Sequence, residues 1–174
     1  MTHGRPNVTM FTDASVFPNY KRSGWGCWIK GDGRESMSFG GPLQNFHPDS
    51  VVAELEAIAN GIVIAKDRGY FQPDDKVIMI QSDSAFALAC LLKARPSIVQ
   101  SRHEDGAKVI ARRKKLGPRL LAPATAIIDT LDELEMHAVI RHVRGHKSGN
   151  GRQWVNRLCD RLAKQGALEG MAAQ

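Results

Sequence analysis

The order in which apolar stretches change their period constrains this chain more than any single residue does. Val8 to Phe11 is a short strand candidate that runs into Thr12-Asp13-Ala14-Ser15. After a turn at Pro18-Asn19, Trp25 to Lys30 and Glu35 to Phe39 read as two more strands, joined by Gly31-Asp32-Gly33, where glycine accepts positive backbone angles. Gly40-Gly41-Pro42 ends this meander. From Asp49 to about Lys66 the period becomes helical: Val51, Leu55, Ile58, Ile62 and Ala65 share a stripe, with Asp49 or Ser50 available as the N-cap. Lys76 to Gln81 returns to strand through Val77-Ile78-Met79-Ile80 and stops at Ser82-Asp83-Ser84, before a helix over Ala85 to Leu92. After a breakpoint at Gly117-Pro118, a helix over Leu121 to Leu134, a fifth strand over Ala138 to Val143, a mobile glycine-rich and polar loop over Gly145 to Gly151 and a last helix from Gln153 to about Gly166 complete the order. Three strands, then helices alternating with strands, predict an α/β fold in which helices pack on a mixed sheet.

A length of 174 residues fits one domain, and 43% hydrophobic with 24% charged residues of both signs argues against disorder. No stretch approaches the 18 or so apolar residues of a membrane span, so no membrane partner is expected. Cys27, Cys90 and Cys159 lack any CxxC pair and suggest neither a disulfide framework nor a zinc site, which fits a reducing cytoplasm.

The formal charge of +6 is unevenly spread. From Lys93 to Arg119 nine basic residues face two acidic ones, with Arg112, Arg113, Lys114 and Lys115 consecutive. Such a segment either grips phosphates without reading sequence or is a solvated basic loop.

Four carboxylates stand where chemistry is expected. Asp13 and Asp83 each follow an apolar strand, and their ends meet if the strands are neighbours. Glu54 lies beside the apolar stripe of the first helix, where a carboxylate is rarely buried without a partner or metal. In the last helix Val155, Leu158, Cys159 and Leu162 make an apolar face, while Asn156, Asp160 and Lys164 form a separate line. Alone, each has an ordinary reading: Asp13 or Asp83 as a turn or cap residue, Glu54 as a surface residue, Asp160 paired with Arg157 or Lys164. Together they would repel one another unless a cation intervened, and magnesium, a hard ion taking oxygen ligands, suits them. Two such ions roughly 4 Å apart would activate a water and stabilise a leaving 3′ oxygen, the requirements of phosphodiester hydrolysis.

The ordered set Phe11-Thr12-Asp13-Ala14-Ser15, Glu54-Leu55-Glu56-Ala57-Ile58, Gln81-Ser82-Asp83-Ser84, Val143-Arg144-Gly145-His146 and Asn156-Arg157-Leu158-Cys159-Asp160-Arg161-Leu162-Ala163 resembles type 1 ribonuclease H. The resemblance covers about residues 7–166, leaving 1–6 and 167–174 as short tails. It implies a ribonuclease H-like fold: a five-stranded mixed sheet, its first three strands antiparallel, with helices on both faces. It also implies an endonuclease that cuts the RNA strand of RNA–DNA hybrids with two Mg2+, for which Mn2+ can stand in, and leaves 5′-phosphate and 3′-hydroxyl ends; a monomer is expected. Asp13, Glu54, Asp83 and Asp160 become the metal ligands, with Asp13 bridging both ions, and His146 becomes a loop histidine that moves protons or helps release product. Ser15, Asn156 and the Arg112 to Lys115 cluster are candidate substrate contacts. Ser50, Val51, Ala85 and Ala14 depart from the commoner bacterial pattern of two asparagines, a glutamine and a glycine. The competing readings are an exonuclease or junction resolvase of the same broad fold, and a noncatalytic nucleic-acid module.

Overall fold

A computed structural model describes residues 4–101, 108–110, 115–145 and 153–169. Strands β1 (Val8–Phe17), β2 (Arg22–Gly31), β3 (Met37–Pro42), β4 (Val77–Ser82), β5 (Val99–Gln100) and β6 (His137–His142) form one sheet in the order β3-β2-β1-β4-β6-β5. The first three are antiparallel, and β4, β6 and β5 join them in parallel. Helices α1 (Ser50–Asp67), α2 (Ala85–Ala94) and α3 (Pro118–Glu133) bury the main core against one face. Helix α4 (Gln153–Glu169) packs on β1, β2 and β3, where Val155 and Cys159 meet Phe11 in a second cluster. The expected α/β architecture with helices on both faces is what the chain adopts.

The five expected strands are present, and β5 adds a sixth. Its two residues lie parallel to Val139 and Ile140 at the sheet edge and are exposed, so they leave no periodic trace in the sequence. Strand β1 also runs beyond Phe11 to Phe17. Its second half lacks apolar alternation, yet Thr12 to Phe17 finds hydrogen-bonding partners in Arg22 to Cys27 across the tight turn at Pro18–Tyr20. Asp13 therefore sits inside the strand opposite Gly26 rather than beyond its end.

Gly40 and Gly41 continue β3 instead of ending the meander, because this face must admit a helix at close range. A Cβ on Gly26 would fall 2.3 Å from the Cys159 carbonyl oxygen, and one on Gly166 would fall 2.2 Å from that of Gly41. Here glycine serves close approach of strand and helix backbones rather than chain reversal. Helix α1 begins as its sequence predicts, with the Asp49 carboxylate accepting from the Val51 amide at 2.9 Å. Leu55, Ile58 and Ile62 are fully buried on its inner stripe, each contributing about 1.5–3 kcal/mol. Gly117-Pro118 starts α3 rather than interrupting the chain, since a proline in the first turn lacks only an N–H that would have had no partner there.

Candidate active site

Asp13, Glu54 and Asp83 come from β1, α1 and the β4–α2 junction, and one oxygen of each lies within 4.8 Å of the others. Local structure sets each in place. The two-residue period of β1 puts Asp13 on the face of Phe11, toward α4. Glu54 enters from the second turn of α1, whose neighbours Ala53 and Leu55 are wholly buried. Asp83 is held in a tight strand-to-helix turn: the Ser82 hydroxyl accepts from the Ser84 amide at 3.0 Å, and the Ser84 hydroxyl caps α2 by accepting from Ala87 at 3.2 Å. A ring nitrogen of His142 lies 3.0 Å from the Asp83 carbonyl oxygen and steadies the same turn.

Electrostatics in this cluster are unfavourable without a cation. Burial, then the charges of Asp83 and Asp160, push the Asp13 carboxyl up from 3.8 to about 7. Burial, then Asp13 and Asp83, push Glu54 well above the usual carboxylate range. The Ala14 amide offsets part of this by donating to Asp13 Oδ1 at 3.0 Å and Glu54 Oε1 at 3.3 Å. Glu54 Oε2 is buried with no hydrogen-bond partner among the described residues. An all-oxygen donor set with surplus negative charge and an orphaned carboxylate oxygen fits a hard divalent cation.

The fourth expected carboxylate stands beside this cluster rather than in it. Asp160, on α4, is near enough to raise the Asp13 pKa, but its side chain is 33% exposed and Oδ2 accepts from Lys164 Nζ at 2.8 Å. Asn156 lies one turn earlier on α4, half-buried, and Ser15 is half-buried in β1 opposite Gly24. Lys115 is exposed, whereas Arg112, Arg113, Lys114 and His146 lie outside the described residues. Elsewhere in the basic segment Arg95 pairs with Asp132 and Arg119 with Asp49, so acidic groups from α3 and the start of α1 offset part of its charge.

One position escaped the sequence reading. Gly145 is so close to Asp83 that a Cβ would fall 2.7 Å from Asp83 Oδ2. The only sequence signal is a glycine in a glycine-rich loop, which reads as a turn before it reads as clearance for a carboxylate.

The RNase H family model matches residues 5–168, a span that takes in every strand and helix of this fold but the last residue of α4. The chain belongs to the RNase H family. Among solved structures it is similar to RNase H1 from the halophilic archaeon Halobacterium salinarum, with 17% identity, TM-score 0.59, and coverage of 91% of this chain and 96% of that one. LC11-RNase H1, isolated from compost by a metagenomic approach and solved in complex with RNA/DNA hybrid, gives 15% identity, TM-score 0.65 and coverage of 94% and 99%. The N-terminal RNase H domain of a Mycobacterium tuberculosis protein gives 16%, 0.59, 92% and 98%. No curated protein matches the sequence. Identities this low speak for the fold; membership of the RNase H family and the Asp13, Glu54 and Asp83 cluster make the chain an RNase H-type nuclease with a potential metal-binding triad.

Proposed function

We propose that the chain is a hybrid-specific endoribonuclease that hydrolyses the RNA strand of RNA–DNA hybrids and leaves 5′-phosphate and 3′-hydroxyl ends. The observation that carries this reading is the buried carboxylate cluster with its orphaned Glu54 oxygen, in a chain of the RNase H family. Asp13, Glu54 and Asp83 would hold Mg2+, for which Mn2+ could substitute, and Asp160 would join them from α4. When bound, paired divalent ions supply the charge that activates an attacking water and stabilises the leaving 3′ oxygen.

The protein's own share is to position and exclude. Asp13 is held by its strand and the Ala14 amide, so its oxygens need little reorganisation. Burial of Asp13 and Glu54 keeps bulk water from screening the site. His146 directly follows Gly145, which stands against Asp83, and this supports a proton-transfer or product-release role for that imidazole. Ser15 and Asn156 flank the cluster along β1 and α4 and are assigned to the substrate backbone, with Arg112 to Lys115 as looser phosphate contacts. Selection of RNA rests on its 2′-hydroxyls, which can donate and accept where DNA cannot. The hybrid carried by the LC11 relative supports the same substrate here. Cys27, Cys90 and Cys159 are buried and outside any disulfide, which supports a reducing, cytoplasmic setting, and we take the enzyme to act as a monomer.

Labelled RNA–DNA hybrid, duplex RNA, duplex DNA and a four-way junction, each incubated with Mg2+, Mn2+ or chelator, test the reading. Internal cuts confined to the RNA of the hybrid, and lost in chelator, are expected. Dominant cleavage of duplex DNA or of the junction would replace it with a resolvase or DNA nuclease, and terminal trimming with an exonuclease.

A further inference from the structure

Helix α4 covers β1, β2 and β3, and the same face toward β4 and β6 carries an open groove of about 780 Å³. Its floor is built from sheet registers. Trp28, Phe11, Gln81 and Arg141 are successive partners across β2, β1, β4 and β6, one row on one face. Lys30, Thr9 and Met79 form the next row. Phe11 stands two residues before Asp13, so the floor begins about 7 Å along β1 from the carboxylates.

The chemistry of this row is unusual for a sheet surface. Trp28 Nε1 and Gln81 Oε1 are buried without hydrogen-bond partners among the described residues, a donor and an acceptor in the same row, and Gln81 is only 2% exposed. Polar atoms left so are costly unless a ligand completes them. Trp154, 50% exposed, meets Trp28 edge-on at 5.9 Å between ring centroids and lines the groove. Arg5, Lys30 and Arg141 bring positive charge to the same walls, where Asp32 supplies one carboxylate among the described residues. Ser101 Oγ accepts from the Arg141 guanidinium at 2.8 Å and anchors it.

We propose that this groove is a subsite for an unpaired nucleotide segment, distinct from the carboxylate cluster and independent of the hybrid-cleavage reading. An aromatic face, a donor with an acceptor, and cations along one open channel suit a base and its phosphates. A base-paired duplex keeps its base faces stacked and its pairing edges occupied, so the occupant is a single strand. Placement on the carboxylate face of β1 suits a strand that extends past the site of hydrolysis.

Binding of a fluorescein-labelled single-stranded tetranucleotide to the full chain tests this by anisotropy, in chelator so that cleavage contributes nothing. A nucleoside 5′-monophosphate serves as competitor. Trp154→Ala is expected to weaken tetranucleotide binding about tenfold, with Trp154→Phe recovering most of it. Lys30→Ala is expected to reduce the slope of log affinity against log salt by about 0.7. Both side chains are exposed, so circular dichroism should match the wild type. Unchanged affinity and salt slope in both alanine variants would overturn the subsite while leaving hybrid cleavage standing. A monophosphate that competes as tightly as the tetranucleotide binds would overturn its assignment to a strand.

Discussion

Helices α1 and α4 pack on opposite faces of the sheet, and each brings a carboxylate to the neighbourhood of Asp13, but the two arrive in different states. Glu54 is 7% exposed, shares the Ala14 amide with Asp13 and leaves Oε2 without a partner among the described residues. Asp160 is a third exposed and ion-paired to Lys164 on its own helix. A satisfied, solvated carboxylate costs the metal-free protein little, whereas a buried one beside two others is tolerable only if protonated or neutralised by a cation. The α1 side of the site therefore carries the demand for metal, and the α4 side adjusts to it.

Four experiments can break or sharpen this contrast. Asp13→Asn and Glu54→Gln should each lower Mg2+-dependent turnover on a defined hybrid by about 10³-fold or more, since each removes charge from the centre of the cluster. Folded variants that retain near-wild-type rates would remove these residues from the chemistry. Metal-free stability should respond next most strongly, and in the opposite direction. Asp13 is raised from 3.8 to about 7 in the native state, so the stability it allows is fully present below about pH 4 and is lost as pH rises through 7. Urea unfolding in chelator should find Asp13→Asn more stable than wild type at pH 8, by up to about 4 kcal/mol, with the gap closing toward pH 4. An equal gap at both pH values would show that the carboxylate is not under this strain.

Asp160→Asn should be milder, with turnover down about 10-fold to 100-fold and a higher Mg2+ requirement, because the residue flanks the cluster. Stability should change by no more than about 0.5 kcal/mol, the usual worth of an exposed ion pair one helical turn apart. A loss as deep as that of Glu54→Gln would make the two helices equivalent and dissolve the contrast. The smallest effect belongs to Lys164→Met. Removing a positive charge that holds Asp160 should lower the Mg2+ concentration for half-maximal activity by about twofold. A higher requirement would show that Lys164 orients Asp160 instead of competing with the ion.

The glycines show where local reading stops. Gly40-Gly41 looks like the end of a meander, and Gly145 like loop flexibility, because composition records only what a glycine permits. Packing decides which permission is used: α4 rests on the backbone of β2 and β3, and the Asp83 carboxylate occupies the space a Cβ at 145 would need. The basic segment has a similar history. Its excess of positive charge is plain in sequence, but Asp49 and Asp132, which engage Arg119 and Arg95, are brought from distant positions.

By itself the sequence determined the alternation of strands and helices, the capped start of α1 and the identities of the carboxylates, since periodicity and capping act over a few residues. Tertiary structure alone decided that β1 continues through Asp13, that β5 joins the edge, and that Glu54 is buried beside Asp13 with an oxygen unpartnered among the described residues. It also assembled the row from Trp28 through Phe11 and Gln81 to Arg141. The physical reason is that ladder register, burial and charge–charge repulsion depend on separation in space. Residues far apart along the chain acquire that proximity only when the sheet closes around its two layers of helices.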